Sequence, residues 1–164
     1  MMNNYSNEFL ECKDCAFYYI NKRRYTKKEL IDKLVKKKYD ISVAREVADY
    51  LEEAKYIDDA DYSRRFINDA VNLKKHGLVR IKRDLSMKGV DRSVVDDVLC
   101  DLEIDTKSVL AGLIETKASN MDLTDEKQLN KLNGFLLRRG FNYCDINEAL
   151  YEYRNKRRIT NWIK

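Results

Sequence analysis

The chain contains no proline, and only five glycines interrupt its 164 residues. Both scarcities favour helix almost throughout, because proline breaks a helix interior and glycine weakens one. Histidine is nearly missing as well: His76 is the only one. No run approaches the roughly 18 consecutive apolar residues of a membrane span. The opening MMNNYSNEFLECKDC lacks the basic-then-apolar order of a secretory signal. A soluble, cytoplasmic protein without membrane contact is expected. Cysteine is sparse: Cys12 and Cys15 form a CxxC, while Cys100 and Cys144 stand alone. No second CxxC or CxxH completes a zinc set, and no strand pattern supplies a thioredoxin-like context. Ordinary reduced thiols are expected, with no metal and no cofactor. GxxxxGK[ST], GxSxG and HExxH are all absent, and one histidine among isolated acidic residues makes no acid–base constellation. The chain reads as a binding protein, not an enzyme.

What is present is charge and repetition. Charged residues make up 37% of the chain and hydrophobic ones 44%, with a net charge of +4. ELIDKLVKKKYDISVAREVADYL (29–51) lies over RIKRDLSMKGVDRSVVDDVLCDL (80–102) without a gap, 51 residues on. The same step reaches KLNGFLLRRGFNYCDINEALYEY (131–153). Leu30, Ile81 and Leu132 share one position of this register; Leu34, Leu85 and Leu136 share another. Val43 and Val94 fall on Asp145, so Ile146 is expected to take over packing in the third copy. Each copy reads as two helices around a tight turn with a third helix in front, beginning near residue 10 in the first. Thr26 and Glu29 match a capping box. Gly89 and Gly140 suit the left-handed residue that ends a helix. Lys38 replaces that glycine in the first copy, which is expected to end its helix another way. Asp40, Asp91 and Asn142 are expected to cap the next helix. Small modules of this kind stack into a curved array with a continuous surface. The expected fold is therefore all-α, an elongated, curved array of three tandem three-helix repeats. Residues 1–57 hold the N-terminal segment and repeat 1, 58–104 repeat 2, 105–157 repeat 3, and 158–164 a basic tail.

The basic residues concentrate in KKHGLVRIKRDLSMKGVD (74–91), between clusters of aspartate. Such segregation suits a patch for a partner. Leu78, Ile81 and Leu85 fall on one helical stripe, which turns Arg80, Lys82 and Arg83 outward and leaves Lys88 nearer the seam. The candidate contacts for a partner or for DNA are Arg64, Arg65, Lys74, Lys75, Arg80, Lys82, Arg83 and Lys88. Secondary candidates are Lys22, Arg23 and Arg24, beside Tyr18, Tyr19 and Tyr25, and Arg157 and Arg158, with Trp162 available to stack on a base.

YIDDADYSRRFINDAV followed by KKHGLVRIKRDLSMKGVDRSVVDDVL resembles the central signature of the RecX regulatory family. In that signature an aromatic-[IL]-D-D and a helix precede basic residues, a glycine, a branched apolar residue, a leucine and K-G-V. YTKKELIDKLVKKKYD and LNGFLLRRGFNYCDINEAL are similar to the family's first and third modules, and the likeness runs from about residue 16 to 153. It implies a monomer that binds the RecA nucleoprotein filament, lodging in its groove or blocking its growth. Strand exchange, ATP hydrolysis and coprotease activity would fall. Asp58 and Asp59 match the family's acidic pair, and Gly77, Ile81, Leu85, Lys88 and Gly89 its central motif. Most of these read as fold determinants, the two aspartates as the first turn of a helix. Weak binding of single- or double-stranded DNA is an accompanying expectation. The alternative is a DNA-binding protein using helix-turn-helix-like modules, with Arg80, Lys82 and Arg83 near phosphates.

Overall fold

A computed structural model describes the backbone of residues 6–162 and the side chains of residues 6–158. Helix is the only regular structure among them: α1 (Asn7–Ile20), α2 (Lys27–Lys36), α3 (Ile41–Glu53), α4 (Asp59–Asn72), α5 (Leu78–Met87), α6 (Arg92–Asp101), α7 (Thr106–Ala118), α8 (Glu126–Arg138) and α9 (Tyr143–Trp162). The chain divides into two compact units. One runs as far as Arg65 and adds Leu85–Asp101; the other takes Phe66–Asp84 and the chain from Leu102.

Short polar side chains start the helices. An N-terminal turn leaves amide donors without carbonyl partners, and Ser, Thr, Asp or Asn answers them. Ser6 accepts from Phe9 N at 3.2 Å and Asp40 from Ser42 N at 2.7 Å. Asp105, Asp125 and Asn142 do the same for α7, α8 and α9. Thr26 and Glu29 form the expected capping box. α1 begins earlier than the apolar pattern alone placed it, because the cap is Ser6.

The second helix of each copy ends identically. Tyr39, Val90 and Phe141 N–H groups donate to Leu34, Leu85 and Leu136 carbonyls at 3.4, 3.2 and 3.3 Å. Lys38, Gly89 and Gly140 precede them at φ of +74°, +80° and +89°. This is the Schellman arrangement. The expectation that Lys38 forces a different ending is thus corrected: the lysine accepts the left-handed conformation. The register in the following helix is corrected too. Ala44, Val95 and Ile146, again 51 apart, are the buried positions, while Val43, Val94 and Asp145 are half-buried. Asp145 therefore marks no break in the repeat.

In the first unit α1 and α2 both pack on α3, around Phe9, Leu30, Leu34, Val47 and Leu51. Cys12 lies in this core, where burial, then Cys15 and Glu8, push its thiol up to about 11. In the second unit α7, α8 and α9 enclose Leu110, Ile114, Leu132, Leu136 and Ile146. Ile81 and Leu85 of α5 are also fully buried.

Candidate interaction surface

In the first unit the start of α2 meets the turn after α5. Thr26 is buried; its hydroxyl accepts from Glu29 N at 3.1 Å and donates to the Lys88 carbonyl at 2.6 Å. The Lys88 ammonium bonds Glu29 Oε1 at 2.8 Å and lies 5.5 Å from the Tyr62 ring. Burial alone would lower the Lys88 pKa, but Glu29 and Tyr62 outweigh it and raise it. Burial likewise opposes ionisation of Glu29, and Lys88 and Arg23 overcome it, so its carboxyl lies below the ordinary range. Lys88 is accordingly a structural cation at this junction.

The acidic pair has two separate jobs. Asp58 caps its own helix, accepting from Ala60 N at 2.9 Å and Asp61 N at 3.0 Å. Asp59 accepts from Lys27 N, the first residue of α2, at 2.8 Å. Burial raises the Asp59 pKa against that bond. The pair thus joins two helix starts within one unit.

Beside this junction is a cleft of about 340 Å³ lined by Arg23, Arg24, Tyr25, Lys55, Tyr56 and Tyr62, among others. Arg23 stacks 3.6 Å from the Tyr25 ring centroid and bonds Glu29 at 3.2 Å. Asp61 holds both Arg24, at 2.9 Å, and Arg65, at 3.0 Å. Lys22 donates to the Tyr18 hydroxyl. Arg64 reaches Asp101 only at 3.9 Å. The secondary candidates near Tyr25 are therefore gathered in one place, but two of the three are already matched by carboxylates.

In the second unit the start of α5 meets the turn between α8 and α9. Gly77 N donates to the Arg139 carbonyl at 2.8 Å and Val79 N to the Gly140 carbonyl at 3.1 Å. A Cβ on Gly77 would lie 2.3 Å from the Gly140 oxygen, so only glycine permits this approach. Arg80 does not project freely as the helical wheel suggests. It is half-buried, bonded to the Arg138 carbonyl at 3.3 Å and to Asp84 at 3.5 Å. Lys82 and Arg83 are exposed, as are Lys74 and Lys75 before the helix. Arg139, absent from the sequence-derived candidates, belongs to this group through its bond to the Lys74 carbonyl. Residues 105–153 carry net negative charge, which hides it; the 51-residue register, placing Arg139 on Lys88, is the signal that reveals it. Arg157 donates to the Ser119 carbonyl at 3.2 Å and Arg158 is exposed. The Trp162 side chain lies outside the described residues.

These features define a class: an all-helical protein of tandem three-helix modules, with cations gathered where a helix start meets the next module's turn. The chain belongs to the RecX regulatory protein family. The family's first, second and third three-helix domains match residues 12–51, 58–99 and 108–150. The Regulatory protein RecX of Clostridium tetani is 32% identical over 148 residues, covering 88% of this chain and 68% of that one. That of Clostridium botulinum strain Alaska E43 is 32% identical over 151 residues, covering 89% and 70%. The crystal structure of RecX from Lactobacillus salivarius superposes with a TM-score of 0.74 at 24% identity, covering 90% of this chain and 97% of that chain. At that identity the likeness speaks for the fold.

Proposed function

We propose that this protein binds the RecA recombinase filament and modulates it, mostly by inhibition, lowering strand exchange, ATP hydrolysis and coprotease activity in recombination and DNA repair. The observation that carries this is the complete set of three RecX domains, in order, across residues 12–150. Binding energy alone suffices for the mechanism: a ligand that prefers one filament state shifts the population toward it by its differential affinity. The exposed cations around the second junction, Lys74, Lys75, Lys82 and Arg83, are the proposed contacts. The decisive assay is DNA-dependent ATP hydrolysis by RecA at rising concentrations of the full chain, beside its binding to naked DNA. Inhibition at concentrations well below those that coat naked DNA is expected, weakening as salt rises. Equal affinity for filament and naked DNA would favour the DNA-binding alternative instead.

A further inference from the structure

The two junctions are built alike and charged differently. Thr26, Glu29, Lys88 and Gly89 of the first fall, 51 residues on, on Gly77, Arg80, Arg139 and Gly140 of the second. Thr26 Oγ1 donates to the Lys88 carbonyl in one; Gly77 N donates to the Arg139 carbonyl in the other. The side chains at those positions form the ion pair Glu29–Lys88, at 2.8 Å, in the first junction. In the second they are both arginine.

The acid recorded beside Arg80 is Asp84, on its own helix. Asp84 is 3.5 Å from Arg80 and also 3.5 Å from Arg83, so one carboxylate is divided between two guanidiniums. Arg139 donates to the Lys74 carbonyl, and the Lys74 ammonium is among the charges that act on His76; of Arg138, only the backbone carbonyl is engaged, by Arg80. His76 is half-buried among them. Burial first, then Arg80, Arg139 and Lys74, hold its imidazole below its ordinary pKa, with Asp84 pulling the other way. Like charges gathered this way favour an added anion.

We propose that this second junction seats a phosphate of a nucleic-acid backbone, with Arg80 and Arg139 as its principal donors and Lys74 at its edge. A guanidinium fork fits carboxylate and phosphate alike. The backbone is favoured because exposed Arg83, one turn along α5 from Arg80, extends the positive charge, as a ligand with regularly repeated charges requires. The site deepens the filament proposal by supplying a DNA contact, yet it needs no RecA to be tested.

The test is fluorescence anisotropy of a labelled single-stranded oligonucleotide with the full chain alone, across salt and pH. Arg80→Glu would offer Arg139 the acidic partner that Glu29 gives Lys88 and remove the site. It also gives up the Arg80 bond to the Arg138 carbonyl, so its fold is checked by circular dichroism. It should weaken binding by roughly tenfold or more and reduce the salt slope by about 1. Arg139→Glu should act in the same direction. Lys36→Glu, an exposed reversal on α2, should change affinity by less than about twofold. An anion beside His76 favours imidazolium, so NMR should show its pKa rising on saturation with DNA, and binding should tighten as pH falls through the histidine range. The proposal is overturned if both arginine variants, folded by circular dichroism, bind within twofold of the parent, or if the His76 pKa is unmoved by DNA. Equal competition by polyglutamate would overturn it in favour of an acidic protein surface. RecA inhibition retained while these DNA results fail would leave the filament proposal standing and remove this one.

Discussion

Lys38 is the residue at which chemistry and conformation disagree most plainly. Its copies are glycines at the same positive φ, and it holds +74° with a side chain attached. A Cβ in the left-handed region meets the following carbonyl and costs about 1–2 kcal/mol. Lys38→Gly removes that strain, offset in part by the greater freedom glycine has in the unfolded chain. A net gain of about 0.5–1 kcal/mol in urea denaturation is expected. A loss of stability would show that the lysine stem contributes packing that its exposure does not suggest. Gly140→Ala should act oppositely and more strongly, since the new Cβ would lie 2.3 Å from Arg80 Cβ at φ +89°.

Among the elements, α5 shows how a helix start can be held by backbone hydrogen bonds. Where α2 begins with a threonine that caps its own first turn and reaches the Lys88 carbonyl, α5 begins with Gly77 held directly against Arg139 and Gly140. Gly77→Ala must push that turn away, and a loss of about 2 kcal/mol or more is expected. Gly112, in α7, has nothing within 4 Å of its missing Cβ. Gly112→Ala should therefore stabilise by about 0.5–1 kcal/mol through helix propensity. Thermal and chemical denaturation of the two variants, side by side, reads the contrast; the same sign for both would refute the close backbone approach. The alignment of repeats makes these differences legible, because each element is measured against its own copies.

For the molecule as a whole, surface charge decides what it meets. Reversing Lys82 and Arg83 to Glu together alters two exposed positions, and exposed charges usually change stability by less than about 0.5 kcal/mol each. The variant should fold as the parent does and inhibit RecA ATP hydrolysis several-fold less, with a flatter dependence on salt. Undiminished inhibition by the folded variant would return attention to the cleft around Arg23 and Tyr25 in the first unit. Arg80 is left out of this pair because its guanidinium also binds the Arg138 carbonyl.

The sequence by itself determined the helical class, the 51-residue period, the capping box at Thr26 and the glycines of two turns. Each of these depends on local chemistry: missing proline, a hydroxyl three residues before a carboxylate, a residue without Cβ. The choice of Ala44 and Val95 over Val43 and Val94 as buried positions was decided by tertiary packing, since neighbouring apolar residues are equivalent to a periodicity until a partner helix selects one. The same holds for the cations. Sequence spacing made Arg80, Lys82 and Arg83 alike and left Arg139 within residues 105–153, a stretch of net negative charge. Only the fold brings Arg139 against the start of α5, because a carbonyl 62 residues away in the chain accepts the hydrogen bond of Gly77.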